Sequence, residues 1–125
     1  MPILEVRGLP QKNPEIIPQA LKKTTLAIAK QYGCAPNQVW AIWEDIKPSM
    51  YVEGELSAIQ QPDNTHPPIA TLTCFEGKTS QQIEDTLLEA ARVLSESLGV
   101  PNNIFIRYQE AKSGQVIAGN GVVRS

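Results

Sequence analysis

Gly33-Cys34-Ala35-Pro36-Asn37-Gln38-Val39-Trp40-Ala41-Ile42-Trp43 has a counterpart late in the chain, Gly99-Val100-Pro101-Asn102-Asn103-Ile104-Phe105-Ile106-Arg107-Tyr108. Each stretch begins with glycine, passes a Pro-Asn pair and enters an apolar segment. A helical pattern precedes each one, and a short apolar segment opening on proline precedes that: Pro2-Ile3-Leu4 in the first half and Pro68-Ile69-Ala70 in the second. Pro36 and Pro101 are 65 positions apart, and Pro2 and Pro68 are 66 apart, so one indel brings the halves into register. The chain is an internal duplication. Each half closes on a glycine-containing segment, around Gly54 and around Gly119 and Gly121. The repeats span about 1–59 and 68–125. The polar, proline-rich run Gln60-Gln61-Pro62-Asp63-Asn64-Thr65-His66-Pro67 is the linker, 60–67.

Within a half the order is strand, helix, strand. Leu4 and Val6 alternate with Glu5 and Arg7; Ala70, Leu72 and Cys74 alternate with Thr71 and Thr73. That is the period of a strand with two different faces. Ile83, Leu87, Ala90, Ala91, Leu94 and Leu98 fall on one face at helical spacing. Thr79-Ser80-Gln81-Gln82 offers a capping box and Gly99 a C-terminal stop. In the first repeat Ile17, Ala20, Leu21, Thr24 and Ile28 take the same part. Asn13-Pro14-Glu15 reads as an N-cap with proline at the first helical position, while Pro18 moves the regular helix a few residues on. Strands over Val39–Glu44 and Ile104–Gln109 follow. Val39, Ala41 and Trp43 face one way, and Trp40 and Ile42 the other. The expected fold is α/β: a single domain of two fused β-α-β repeats, joined by right-handed crossovers into a four-stranded sheet with both helices on one face. The other face carries Ile3, Ile69, Trp40, Ile42 and Phe105, too much apolar surface to leave in water, so association through it is expected.

The chain has 125 residues, enough for one core, and its 42% hydrophobic and 19% charged residues place it with soluble globular proteins. A formal net charge of -2 gives no reason to expect nucleic acid or a membrane surface as partner. No run of about 18 apolar residues is present, so no transmembrane helix is expected. The N-terminus lacks the pattern of a secretory signal. Cys34 and Cys74 form no CxxC pair and the single histidine, His66, lies in the linker. No metal site and no cofactor are expected; both thiols read as small buried side chains in a reducing, cytoplasmic setting.

Pro2 stands directly behind the initiator methionine. A small residue there normally lets Met1 be removed, which would leave a proline with a secondary amine. An amide nitrogen has no usable lone pair; an amine has one, and the ring holds it in a fixed direction. A free α-amino group titrates near pH ~7.7–8.0, in range for a general base. The plain alternative is that Pro2 begins an edge strand and nothing more.

A duplicated β-α-β chain with proline behind the initiator methionine resembles the tautomerase superfamily, and within it the 4-oxalocrotonate tautomerase group in a fused two-repeat form. Pro68-Ile69-Ala70, Glu76-Gly77-Lys78-Thr79 and Leu98-Gly99-Val100-Pro101 carry the local likeness in the second repeat. Pro2-Ile3 and Glu53-Gly54-Glu55-Leu56 add to it in the first. The resemblance implies a homotrimer of fused chains. It implies Pro2 as the base that moves a proton between carbon and oxygen of a small anionic 2-hydroxy-dienoate or enol-pyruvate type substrate. Family members hold such anions with cations near the proline. Lys78 stands where the single-repeat enzymes have arginine, a weaker replacement because lysine lacks the bidentate fork; Lys12 is near the matching first-repeat position. A second family arginine aligns with Trp40 and Phe105 and is missing from both repeats. Arg107, two residues beyond Phe105 on the same face, is the candidate to replace it. Pro68 aligns with the catalytic proline but is an internal amide, so each chain has one base.

Further residues carry two readings each. Trp40 is an aromatic wall of the pocket or part of an interface. Arg107 binds substrate or makes an intersubunit ion pair. Tyr51 and Met50 lie where the family places a residue covering the site. Arg7 leaves the first strand, with a substrate-binding or a structural role. Related dehalogenases and hydratases need an acid where Ala118 stands, with Glu53 the repeat-equivalent substitute. The primary expectation is a cofactor-independent tautomerase. The alternatives are a hydratase, dehalogenase or decarboxylase of a small unsaturated acid using the same proline, and a non-catalytic trimeric binding protein.

Overall fold

The computed structural model describes residues 1–61 and 64–124. Pro62 and Asp63 of the expected linker lie outside the described residues, as does Ser125. The first half supplies β1 (Ile3–Gly8), α1 (Ile17–Tyr32) and β2 (Trp40–Asp45), then a small hairpin of β3 (Val52–Glu53) and β4 (Leu56–Ser57). The second half repeats the series with β5 (Ile69–Phe75), α2 (Ser80–Leu98), β6 (Phe105–Ala111) and a hairpin of β7 (Val116–Ala118) and β8 (Gly121–Val123). The glycines expected to close each half sit in the hairpin turns, Gly54 at φ 62° and Gly119 at φ 65°. This left-handed conformation suits glycine, which has no Cβ to clash.

The four long strands form one sheet in the order β2-β1-β5-β6. β1 runs parallel to β2 and β5 parallel to β6, while the two inner strands β1 and β5 are antiparallel, with Ile3 opposite Thr73 and Arg7 opposite Ile69. Two consequences follow. The repeats meet back to back at the sheet centre, and their starting prolines lie at opposite ends of the molecule.

Alternation sorts the side chains. Leu4, Val6, Ala70, Leu72 and Cys74 point to the helices and form the core with Ala20, Ile28, Ala90, Leu94 and Leu98. Buried hydroxyls on the helices are satisfied by their own backbone: Thr24 Oγ1 donates to Ala20 O at 2.7 Å and Ser95 Oγ to Ala91 O at 2.8 Å. These bonds let small polar residues stand among buried apolar ones without a desolvation penalty. The capping box at Thr79 is present in full, the Thr79 side chain accepting from Gln82 N and Gln82 Oε1 accepting from Thr79 N. Both helices end on a left-handed glycine, Gly33 at φ 85° and Gly99 at φ 71°.

The first helix differs in detail from its sequence reading. Pro14–Ile16 form a 3-10 turn, α1 starts at Ile17, and the Asn13 side chain makes no capping bond. Pro18 sits in the first turn of α1, where a missing N–H costs nothing. Strands β2 and β6 begin one residue later than expected and run on to Asp45 and Ala111, because each lies in parallel register along its whole neighbour.

The face away from the helices is less uniformly apolar than expected. Trp40 is 49% exposed and Phe105 55% exposed, at opposite corners beside Ile3 and Ile69. Between these corners runs the row Ile42, Glu5, Thr71, Arg107, with an Arg7–Glu44 ion pair of 3.3 Å next to it. Both partners of that pair are well exposed in the single chain, where such pairs contribute little.

One close approach constrains the sequence. A Cβ on Gly8 would lie 2.3 Å from Cζ2 and 2.4 Å from Cη2 of Trp43. The indole is held by its Nε1, which donates to Asp45 Oδ1 at 2.8 Å. Gly8→Ala is therefore expected to destabilise the fold by ~1–3 kcal/mol, the scale of overpacking. Urea unfolding followed by tryptophan fluorescence measures it. An unchanged midpoint would mean that the indole moves aside without cost.

Candidate active site

Pro2 is fully buried at the head of β1. Its carbonyl accepts from Trp40 N at 3.0 Å, which fastens the chain start to β2. Continuing the β1–β5 register sets Pro2 beside Cys74. The same contact recurs at the other end of the sheet, where Pro68 O accepts from Phe105 N at 3.3 Å. The duplication has thus built two equivalent corners, each a proline at the head of an inner strand bonded to an aromatic residue at the head of an outer one.

The corner holding Pro2 gathers further side chains. Lys78, on the segment between β5 and α2, extends its ammonium to the end of α1. There Nζ donates to Tyr32 O at 3.1 Å and stands 4.2 Å from the centre of the Tyr32 ring. The carbonyl and the ring face both attract the cation. An ammonium has three donors, so two remain for an anion. Beneath lie Cys74, Cys34, Tyr32 and Tyr108. Burial pushes the Cys74 thiol up to about 11, against the opposing pull of the Tyr108 hydroxyl, the chain N-terminus and the Lys78 ammonium. Burial likewise raises the Tyr108 and Tyr32 hydroxyls, with the nearby thiols adding to it. The Met1 ammonium and the Lys78 ammonium both act against the rise at Cys74.

Cys74 is inert by the same reasoning, since a thiolate is the reactive form and only about a thousandth of this thiol ionises at pH 8. Iodoacetamide at that pH is expected to leave Cys74 unmodified in the folded protein and to alkylate it in denaturant, read by peptide mass. Rapid native labelling of Cys74 would contradict its burial.

The other residues singled out in the sequence lie elsewhere in the single chain. Trp40 touches the site through its backbone, while its ring stands on the open face of the sheet. Arg7 is five residues along β1 from Pro2, about 16 Å at the rise of a strand. Arg107 lines a cavity of about 340 Å³ on the open face with Arg7, Glu5, Ile69 and Thr71, away from Pro2. Tyr51 belongs to the opposite corner. Its hydroxyl donates to Glu53 Oε1 at 2.5 Å, and that oxygen also accepts from His66 N at 2.7 Å. His66 Nδ1 lies 2.8 Å from Asn103 O, just ahead of β6. Burial, then the bond to Glu53, pushes the Tyr51 hydroxyl up to about 12; the Tyr51 and His66 donors hold the Glu53 carboxyl below its usual range. Met50 is exposed near the same hairpin. Within one chain, Pro2 and Lys78 lie at the same end of the β1–β5 pair, and Arg7 and Arg107 line one cavity towards the other end. Sequence reading passed over Tyr32 as a site residue, although its place one residue before the Gly33 stop puts it at the helix end facing this corner.

Among the described residues no three His, Cys, Asp or Glu side chains gather as metal ligands do. No described helix is long and apolar enough to cross a membrane.

No family model and no curated protein sequence matches the chain. Solved structures do. A wild-type fused 4-OT that forms an asymmetric trimer superposes with a TM-score of 0.84 at 16% identity, over 96% of this chain and 94% of that one. A protein solved after inactivation by 2-oxo-3-pentynoate gives 0.80 at 14% identity, over 97% and 94%. Malonate semialdehyde decarboxylase, with decarboxylase and hydratase activities, gives 0.70 at 14% identity, over 95% and 92%. The chain has the fold of these proteins, the fused 4-OT among them.

Proposed function

We propose that this chain, a tautomerase-type fold in its fused two-repeat form, is a cofactor-independent tautomerase whose base is the Pro2 nitrogen once Met1 has been removed. The observation that supports this most is the placement of Pro2, fully buried at the head of β1, at the end of β5 from which the segment carrying Lys78 leaves. In the mature chain the proline amine takes a proton from the 2-hydroxyl of a small 2-hydroxy-dienoate or enol-pyruvate and returns it to a carbon of the same molecule. The products are a keto acid and the restored amine. The two unused N–H donors of Lys78 hold the carboxylate and stabilise negative charge as it builds on the enolate.

Arg7, Arg107, Trp40 and Tyr51 join the site across a subunit boundary in this reading. The open face that carries Arg7, Arg107 and the Trp40 ring is the surface through which three copies associate, as the fused 4-OT neighbour's trimer supports. The cytoplasm is the proposed setting.

The test is an intact mass of the mature protein, then ketonisation of phenylenolpyruvate and 2-hydroxymuconate with the same sample. A mass lacking Met1 together with saturable ketonisation is the expected result. A correctly processed protein that ketonises neither compound would overturn the reading. The likeness to malonate semialdehyde decarboxylase supports a second reading, decarboxylation or hydration of a small acid on the same base. Release of carbon dioxide from a 3-oxo acid, with no ketonisation, would favour it.

A further inference from the structure

We infer that Tyr32 is a positioning residue, whose ring and carbonyl hold the Lys78 ammonium in place for an incoming carboxylate at the Pro2 end of the sheet. The inference rests on the reading of Lys78 as the cation that holds the substrate carboxylate. The lysine is fixed at both ends. At its root, Thr79 and Gln82 exchange the two bonds of the capping box, which sets the backbone directly beyond Lys78. At its tip, Nζ donates to Tyr32 O at 3.1 Å and lies 4.2 Å from the ring centre. Tyr32 is the last residue of α1, so its carbonyl has no partner within the helix and stands at the negative end of the helix dipole. The ring is itself anchored, half-buried and packed against the core. A free lysine chain loses rotamer freedom when it closes on a ligand; a docked one has lost it already.

The duplication supplies a control within the same chain. Lys12 repeats Lys78, and Leu98 repeats Tyr32, each at an offset of 66 positions. Both lysines stand one residue before an N-cap, Asn13 of the 3-10 turn and Thr79 of α2. Both approach the end of the other repeat's helix, Lys12 lining a cavity with Leu98 and Gly99. The outcomes differ. Asn13 makes no capping bond, Leu98 is buried in the core and has no ring to offer, and Lys12 is exposed. Lys78 is half-buried on tyrosine. Of the two, the clamped lysine is the one at the Pro2 end of the sheet. The clamp is made by the repeats together, with lysine from the second and tyrosine from the first.

The full-length protein carrying ¹³C,¹⁵N-labelled lysine tests this by NMR, with pyruvate as the carboxylate probe. In the wild type the Lys78 ε-methylene protons are expected upfield of those of the other lysines, because they adjoin an ammonium held over a ring face, while Lys12 stays with the rest. Pyruvate should move the Lys78 signals saturably. Tyr32→Leu puts the Lys12 arrangement at this corner. It should return the Lys78 signals to the common position and weaken pyruvate binding about 3-fold, the scale of one exposed cation–π contact. Tyr32→Phe keeps the ring and should restore both the shift and the affinity. A side chain that only filled space would be replaced as well by leucine as by phenylalanine, so the difference between the two variants reads positioning. Lys78 signals at the common position in the wild type, no movement of them with pyruvate, or equal pyruvate affinity in the wild type and Tyr32→Leu would each overturn the proposal. No step of the test uses proton transfer. A chain that ketonises nothing yet gives the expected shifts loses the Pro2 mechanism and keeps the clamp, and the converse result leaves Pro2 untouched.

Discussion

Pro2→Ala is expected to lower kcat for ketonisation by ~10² or more, the usual scale for a positioned acid–base group, with a smaller change in KM. Alanine at position 2 still allows Met1 to be removed, so the variant keeps a free amine. What it loses is the ring that is buried at the head of β1 and aims the lone pair. The backbone bond from Trp40 N to the carbonyl of residue 2 does not need the ring. The fold is therefore expected to survive, and circular dichroism would verify this before kinetics. Activity within a few-fold of wild type would remove Pro2 from the mechanism. A sample in which Met1 is retained makes the complementary control: its Pro2 nitrogen is an amide, and it is expected to be as inactive as the variant.

Leu72→Ala should cause the largest loss of stability, ~2–5 kcal/mol. Leu72 is fully buried on the inner strand β5, opposite Leu4 of β1 and beside Tyr108 of β6. It belongs to the core that both helices cover, and the surrounding strands are hydrogen-bonded on each side, so the site has little freedom to collapse around the cavity. The midpoint of urea unfolding should fall with the slope unchanged. A loss under ~1 kcal/mol would mean that the helices settle onto the sheet and fill the space. The same change at exposed Ile42 removes little from the core of one chain; any loss of stability there would report association through the open face instead.

Much of the fold could be read in the chain because its signals are local. Strand alternation at Leu4 and Val6, the Thr79–Gln82 capping box and the stops at Gly33 and Gly99 each depend on residues within a few positions. The Asn13 cap and the strand ends were read less well. A proline-rich approach to α1 has several acceptable turns, and the length of β2 and β6 depends on partners far away in sequence. Lys78 entered the sequence reading only through the family resemblance, as the residue that follows Glu76-Gly77. Its attachment to Tyr32 was not legible, since the two residues are 46 positions apart and meet only when α1 lies beside α2.

The sequence by itself determined that two β-α-β units exist and which faces of their strands and helices are apolar. Those properties follow from periodicity. Only the tertiary structure decided that β1 and β5 run antiparallel, and this places Pro2 and Pro68 at opposite corners. That pairing separates Arg7 and Arg107 from Pro2 within a chain and sends Tyr51 to the far end. The physical reason is that strand order and direction are set by which apolar faces can be covered together. That depends on the sum of contacts across the whole sheet, and no short stretch of the chain contains it.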